Sequence, residues 1–258
     1  MPLSAVLFDV DGTLADTERD GHRLAFNSAF IDFGLSWNWN IELYGKLLQI
    51  TGGKERIRYY IDHYSPEIPK NINLTDWIAE LHKTKTKYFL KLLSEGKIPL
   101  RPGIARLIHE LRNRNVRMAI ATTTTPENVF VLLKSTLGED SPSWFDIIGA
   151  GDVVPYKKPA PDIYHWVLNK LRLPPNECIA IEDSENGLKA SLAANISTII
   201  TTSEYTHAQN FNGAVMVLTN LGEANDPAVI LASSYPPEFK TSLIDVSFLE
   251  TITNQRKP

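Results

Sequence analysis

The chain has 258 residues, 43% hydrophobic and 22% charged, the composition of a folded protein and not of a disordered one. At roughly 100–200 residues per domain, this suits one large domain or one ordinary domain carrying an insertion. Lys and Arg number 26 against 30 Asp and Glu, a net charge of −4 with no basic stripe; this argues against nucleic-acid binding, and the single Cys178 excludes an internal disulfide and the usual zinc-finger spacings.

Residues 1–4 pass directly into the apolar run Ala5–Phe8, with no basic and apolar leader pattern, and no later stretch approaches the roughly 18 apolar residues of a membrane helix. A cytoplasmic protein without membrane partners is expected, or a stromal one if this is a mature plastid protein. Ala5–Phe8 reads as a strand and is followed at once by Asp9-Val10-Asp11-Gly12-Thr13. Residues 15–96 then show helical patterns and no convincing strand: Phe26, Ala29, Phe30 and Phe33 mark one helix, and Leu81, Tyr88, Phe89 and Leu92 another, with Pro66 and Pro69 between them. A crossover needs only a dozen or so residues, so this stretch is expected to be a helical cap domain over one edge of the sheet.

Beyond the insertion, strands are expected at Arg117–Ala121, Ile147–Gly149, Cys178–Glu182, Ser197–Ile200 and Val215–Leu218, most of them separated by helical segments such as Gly103–Arg114 and the run after Pro161. That alternation predicts an α/β fold, a doubly wound, Rossmann-like parallel sheet with an inserted all-helical cap. The expected division is a core of residues 1–14 and 97–234, a cap of 15–96, and a C-terminal tail of 235–258 with no assigned role. A monomer is expected.

Four segments carry chemistry. Asp9 and Asp11 follow the first strand, where open α/β sheets place their sites, and residues two apart in extended chain face the same way. Alone, this segment also reads as an Asp/Gly turn, and its spacing is not that of an EF-hand. Glu182 and Asp183 end a second strand; together the acids suit a hard-oxygen Mg²⁺ site beside a phosphate, while Ser184 suits an N-cap. Lys158, made extended by Pro159, is aimed at an anion or lies in a surface loop. Thr122 ends a strand and offers a hydroxyl to a phosphate oxygen, whereas Thr125 with Pro126 reads as a helix start. Gly149 and Gly151 lack the third glycine of a dinucleotide fingerprint.

The order strand-DxDGT, strand-Thr, Lys-Pro, strand-Glu-Asp resembles the haloacid dehalogenase-like hydrolases. Within them, Phe8–Glu18, Thr51-Gly52-Gly53-Lys54-Glu55-Arg56, Leu81–Thr86, Leu100-Arg101-Pro102-Gly103 and Gly151–Val154 look like the CbbY-type sugar-bisphosphate phosphatases. That resemblance implies a phosphatase removing the C1 phosphate of xylulose 1,5-bisphosphate, a Rubisco inhibitor. It implies Asp9 as nucleophile, Asp11 as general acid and base, and Thr122 and Lys158 as stabilisers of the transferring phosphoryl group. Mg²⁺ would be held by Asp9, the carbonyl of Asp11 and Asp183, with Glu182 close by. A second phosphate needs a second anion site, for which Gly52, Gly53, Lys54 and Arg56 at a helix start are the candidates, a solvated helix face being the plainer reading. Glu18 and His22, one turn apart, are candidates for sugar hydroxyls, and Thr123 and Thr124 join them as substrate-binding residues. Arg101, His82 and Lys85 are weaker candidates. A phosphosugar mutase and a non-catalytic phosphosugar-binding protein are the competing readings.

Overall fold

The structure is a computed structural model describing residues 2–50, 52–236 and 241–255; Thr51 of the sequence patterns lies outside the described residues. Seven strands form one sheet: β1 Ala5–Phe8, β2 Arg117–Ala121, β3 Ile147–Gly149, β4 Cys178–Glu182, β5 Ser197–Thr201, β6 Met216–Leu218 and β7 Ile230–Ser233. The order is β3-β2-β1-β4-β5-β6-β7, and β7 alone runs antiparallel. Every residue of β1 and β4 is buried, which requires cover on both faces and explains why β1, and β4 as far as Ile181, read as apolar runs. The chain winds from β1 through β2 to β3 on one side, then from β4 to β6 on the other. The carboxyl ends of β1 and β4 therefore flank a topological switch point, where α/β sheets bind ligands.

Chain contacts divide the molecule into two units, Thr17–Ile98 and the core Met1–Asp16 with Pro99–Pro258. Residues 14–16 and 99–100 stay with the core because Ala15 bridges Leu100 and the Arg101 amide donates to the Leu14 carbonyl at 2.8 Å. The first unit is helical: α1 Arg23–Asp32, α2 Ile41–Leu47, α3 Gly53–Tyr64 and α4 Leu74–Ser94, with a π-turn over Glu18–His22 leading into α1. Asn40 and Asn73 accept amide hydrogens at the starts of α2 and α4. Its interior is aromatic, with Phe26, Phe30, Trp39, Tyr44 and Phe89 all buried.

The core helices are α5 Ile104–Asn113, α6 Pro126–Leu137, α7 Asp162–Leu171, α8 Glu185–Ala193 and α9 Val246–Asn254. Thr125 caps α6 with Pro126 in its first turn, and Ser184 caps α8, as the sequence predicts. The segment after Leu218 is more ordered than its sequence pattern suggests. It supplies β7 and α9, whose Val246, Leu249 and Ile252 are buried where it packs on α5 and β4. Arg106 of α5 fastens it by donating to the carbonyls of Leu221, Gly222 and Ile244. No described helix is long and apolar enough to cross a membrane.

Candidate active site

The loop after β1 is held in place by its backbone: the Asp9 amide donates to the Ile181 carbonyl, and those of Thr13 and Leu14 to that of Val10. Gly12 turns the chain at φ 85°, and a Cβ there would stand 2.1 Å from Asp183 Oδ2. Glycine is thus required twice, for the backbone angle and for the approach. The result is that Asp9, Glu182 and Asp183, all buried, bring carboxylate oxygens within 4.8 Å of one another.

Lys158 enters this cluster from the β3–α7 loop. Its ammonium donates to Asp9 Oδ1 at 2.7 Å and to Glu182 Oε1, and the buried Tyr164 hydroxyl of α7 donates to that same Glu182 oxygen. Burial would lower the Lys158 pKa, but Asp9 and Glu182 outweigh it and hold the ammonium charged above its ordinary range. Burial pushes Glu182 up to about 7 despite Lys158, and pushes Asp183 well up, with Asp9 and Glu182 adding to the shift. Negative charge is therefore in excess. Glu182 Oε2 is buried without a hydrogen-bond partner, facing Gly187, where a Cβ would fall 1.9 Å away. An all-oxygen, anionic and desolvated donor set of this kind fits a hard divalent cation.

Thr122 lies buried at the carboxyl end of β2, with its amide on the Gly149 carbonyl and its Oγ1 accepting from the Thr124 amide. Thr123 is exposed, and Thr124 Oγ1 accepts from Asn128. Asp11 is half-buried in the loop after β1. The neighbouring Lys157 is half-exposed; it donates to the Gly151 carbonyl and pairs with the exposed Asp152 at 2.7 Å.

The remaining candidates lie in the helical unit. Glu18 accepts from the Tyr44 hydroxyl at 2.6 Å and stands 4.0 Å from the Arg56 guanidinium. Arg56 is buried and donates to Tyr44 Oη and to the carbonyls of Leu47 and Ile50. His22 is bonded to Lys85, not to Glu18: its Nδ1 is 2.7 Å from the Lys85 ammonium, and its ring stacks on Phe89. Burial, then Lys85 and Arg56, lower the His22 pKa well below its usual value, so the ring is neutral and Nδ1 accepts. His82 packs against Gly53, where a Cβ would meet its Nε2 at 2.3 Å, and burial lowers its pKa to about 4. Gly52 and Lys54, at the start of α3, are exposed. Tyr44 and Tyr164 escaped the sequence reading. Tyr164 sits beside the apolar face of α7, where a hydroxyl needs a partner, and that was the available signal; no spacing ties Tyr44 to Glu18.

The profile of the hydrolase family described as haloacid dehalogenase-like hydrolase matches residues 3–195. Protein CbbY (plasmid) of Cupriavidus necator is 44% identical over 225 residues, 87% of this chain and 88% of that one. A crystal structure of a CbbY variant from Rhodobacter sphaeroides in complex with xylulose-(1,5)bisphosphate is 43% identical, with a TM-score of 0.74 over 86% of this chain and 98% of the other. A putative beta-phosphoglucomutase from Thermotoga maritima is more distant, at 25% identity and a TM-score of 0.65 over 84% and 94% of the two chains. With its acidic segments after β1 and β4, Thr122 at the end of β2 and Lys158 reaching in from the β3–α7 loop, the chain belongs to the haloacid dehalogenase-like hydrolases and is a phosphatase of their CbbY type.

Proposed function

We propose that this phosphatase requires Mg²⁺ and removes the C1 phosphate of a ketopentose bisphosphate, xylulose 1,5-bisphosphate, through an aspartyl-phosphate on Asp9. The observation that carries the reading is the contact of the Lys158 ammonium with Asp9 at 2.7 Å inside an acidic, buried cluster. Asp9 attacks phosphorus, and Lys158 and Thr122 stabilise charge on the transferring oxygens. Asp11 gives a proton to the leaving sugar oxygen and then takes one from the water that opens the acyl phosphate. Asp9, Asp183 and the Asp11 carbonyl, with Glu182 beside them, would hold the magnesium ion, which when bound would supply positive charge to offset repulsion between the attacking carboxylate and the phosphate. Thr123 and Thr124 are assigned to substrate contacts in the core. In the helical unit, Glu18 and His22 are assigned to sugar hydroxyls, and Gly52, Gly53, Lys54 and Arg56 to the second phosphate. Similarity to a CbbY structure holding xylulose bisphosphate supports that substrate.

The likeness to a phosphoglucomutase keeps one rival, a mutase that returns the phosphoryl group to the sugar. Incubation with Mg²⁺ and a panel of sugar mono- and bisphosphates separates them. One phosphate released per xylulose 1,5-bisphosphate, with slower release from ribulose 1,5-bisphosphate, is expected; isomerised sugar phosphate without free phosphate would overturn the reading. Asp9→Asn should abolish phosphate release, and equal release by this variant would show that the nucleophile is elsewhere.

A further inference from the structure

Arg101 lies at the start of the core segment after the helical insertion, and its side chain is 7% exposed. Its Nη1 donates to the Gly12 carbonyl and, at 2.9 Å, to that of Thr201; its Nη2 donates to Thr202 at 2.6 Å and Thr219 at 2.8 Å. Its Nε lies 3.6 Å from Asp16 Oδ1. One guanidinium thus joins the loop carrying Asp9 and Asp11 to the ends of β5 and β6. The acceptors are main-chain carbonyls where parallel strands end and ladder partners run out, and these need donors when buried. A planar fork of five N–H groups can satisfy several at once; a lysine ammonium presents its donors from a single nitrogen.

Two further contacts give this clamp its catalytic meaning. Gly12, whose carbonyl is gripped, follows Asp11 directly and packs on Asp183. Ser203, next to the gripped Thr202, donates to Asp183 Oδ2 at 3.2 Å. We propose that Arg101 is a positioning residue for the phosphoryl-transfer site, fixing the Asp9–Gly12 turn against the β5 end so that Asp9, Asp11 and Asp183 keep their mutual placement. This rests on the phosphatase reading above. A clamp that serves only to hold strands together would affect stability and not turnover.

Arg101→Lys keeps the charge and loses the fork. Expected is a fall in kcat of about 10- to 100-fold, the scale of a 1 Å misplacement, with KM unchanged. Unchanged kcat, or a rise in KM alone, overturns the proposal. Should that variant not fold, Asp16→Asn, which alters only the half-exposed end of the clamp, decides: a lower kcat at constant KM supports it and wild-type kinetics refute it. Beryllium fluoride, a phosphoryl mimic captured by aspartate, gives a readout without substrate. With Mg²⁺ present, its midpoint for raising Tm should shift to higher concentration in Arg101→Lys, and equal midpoints count against the clamp. If wild type binds beryllium fluoride yet releases no phosphate from sugar bisphosphates, the substrate reading has failed and not the role of Arg101.

Discussion

Glu182 shows how a single carboxylate is placed by its neighbours. Its Oε1 takes hydrogens from both Lys158 and Tyr164, and its side chain is wholly buried. A charged group there is tolerated only while such donors are in place. Tyr164→Phe keeps the ring and removes one donor. It should destabilise the protein by about 1–3 kcal/mol, the usual penalty for an unsatisfied buried group, and lower kcat by loosening the carboxylate that holds Lys158. Chemical denaturation and steady-state kinetics measure the two effects; unchanged values of both would mean that Lys158 holds Glu182 without help from Tyr164.

At the scale of elements, the site depends on strand ends and on the helices that start beside them. Thr125 and Ser184 cap α6 and α8 with their side-chain oxygens, which fixes where Thr122 and Asp183 leave their strands. The C-terminal helix α9 has a different task. With Leu249 and Ile252 fully buried against α5 and the sheet, it is part of the core. Leu249→Ala should cost about 2–5 kcal/mol, read from urea unfolding, whereas a merely appended tail would lose almost nothing.

For the whole molecule, the acidic cluster ties stability to pH and to metal. Glu182 and Asp183 have folded pKa values raised above their unfolded ones, so without metal these two groups favour the folded state most at low pH. That contribution is lost as pH rises from about 4.5 through about 7. Metal binding requires the deprotonated acids. Mg²⁺ should therefore raise Tm more at pH 8 than at pH 5, and a chelator should remove both the rise and the activity; an equal rise at both pH values would argue against this cluster as the binding site. The helical unit is tested separately by its exposed Lys54. Lys54→Ala should weaken use of a bisphosphate far more than that of a small aryl phosphate, and equal losses would exclude a role at the second phosphate.

Much of this organisation was legible in the sequence because it depends on local chemistry. Parallel strands buried on both faces are rich in apolar and β-branched residues, so six of the seven described strands stood out, and the acids and threonine at their ends were conspicuous against them. The antiparallel β7 did not stand out although it lies in the apolar run Ala228–Ala232: with Val229 and Leu231 exposed it is not a strand buried on both faces, and turn residues set it apart from the β–α alternation before it. Nor did spacing along the chain reveal that Arg56, Lys85 and Arg101 are buried, since a cation is buried only by partners that folding supplies. Lys85 meets His22 and the rings of Phe26 and Phe89; Arg101 reaches four carbonyls from three distant segments. The sequence by itself determined the sheet, the helical insertion and the acids that belong at strand ends, through periodicity and turn chemistry. Only the tertiary structure decided which oxygen each donor reaches, because hydrogen bonds act over about 3 Å and that proximity arises from packing between segments far apart in the chain.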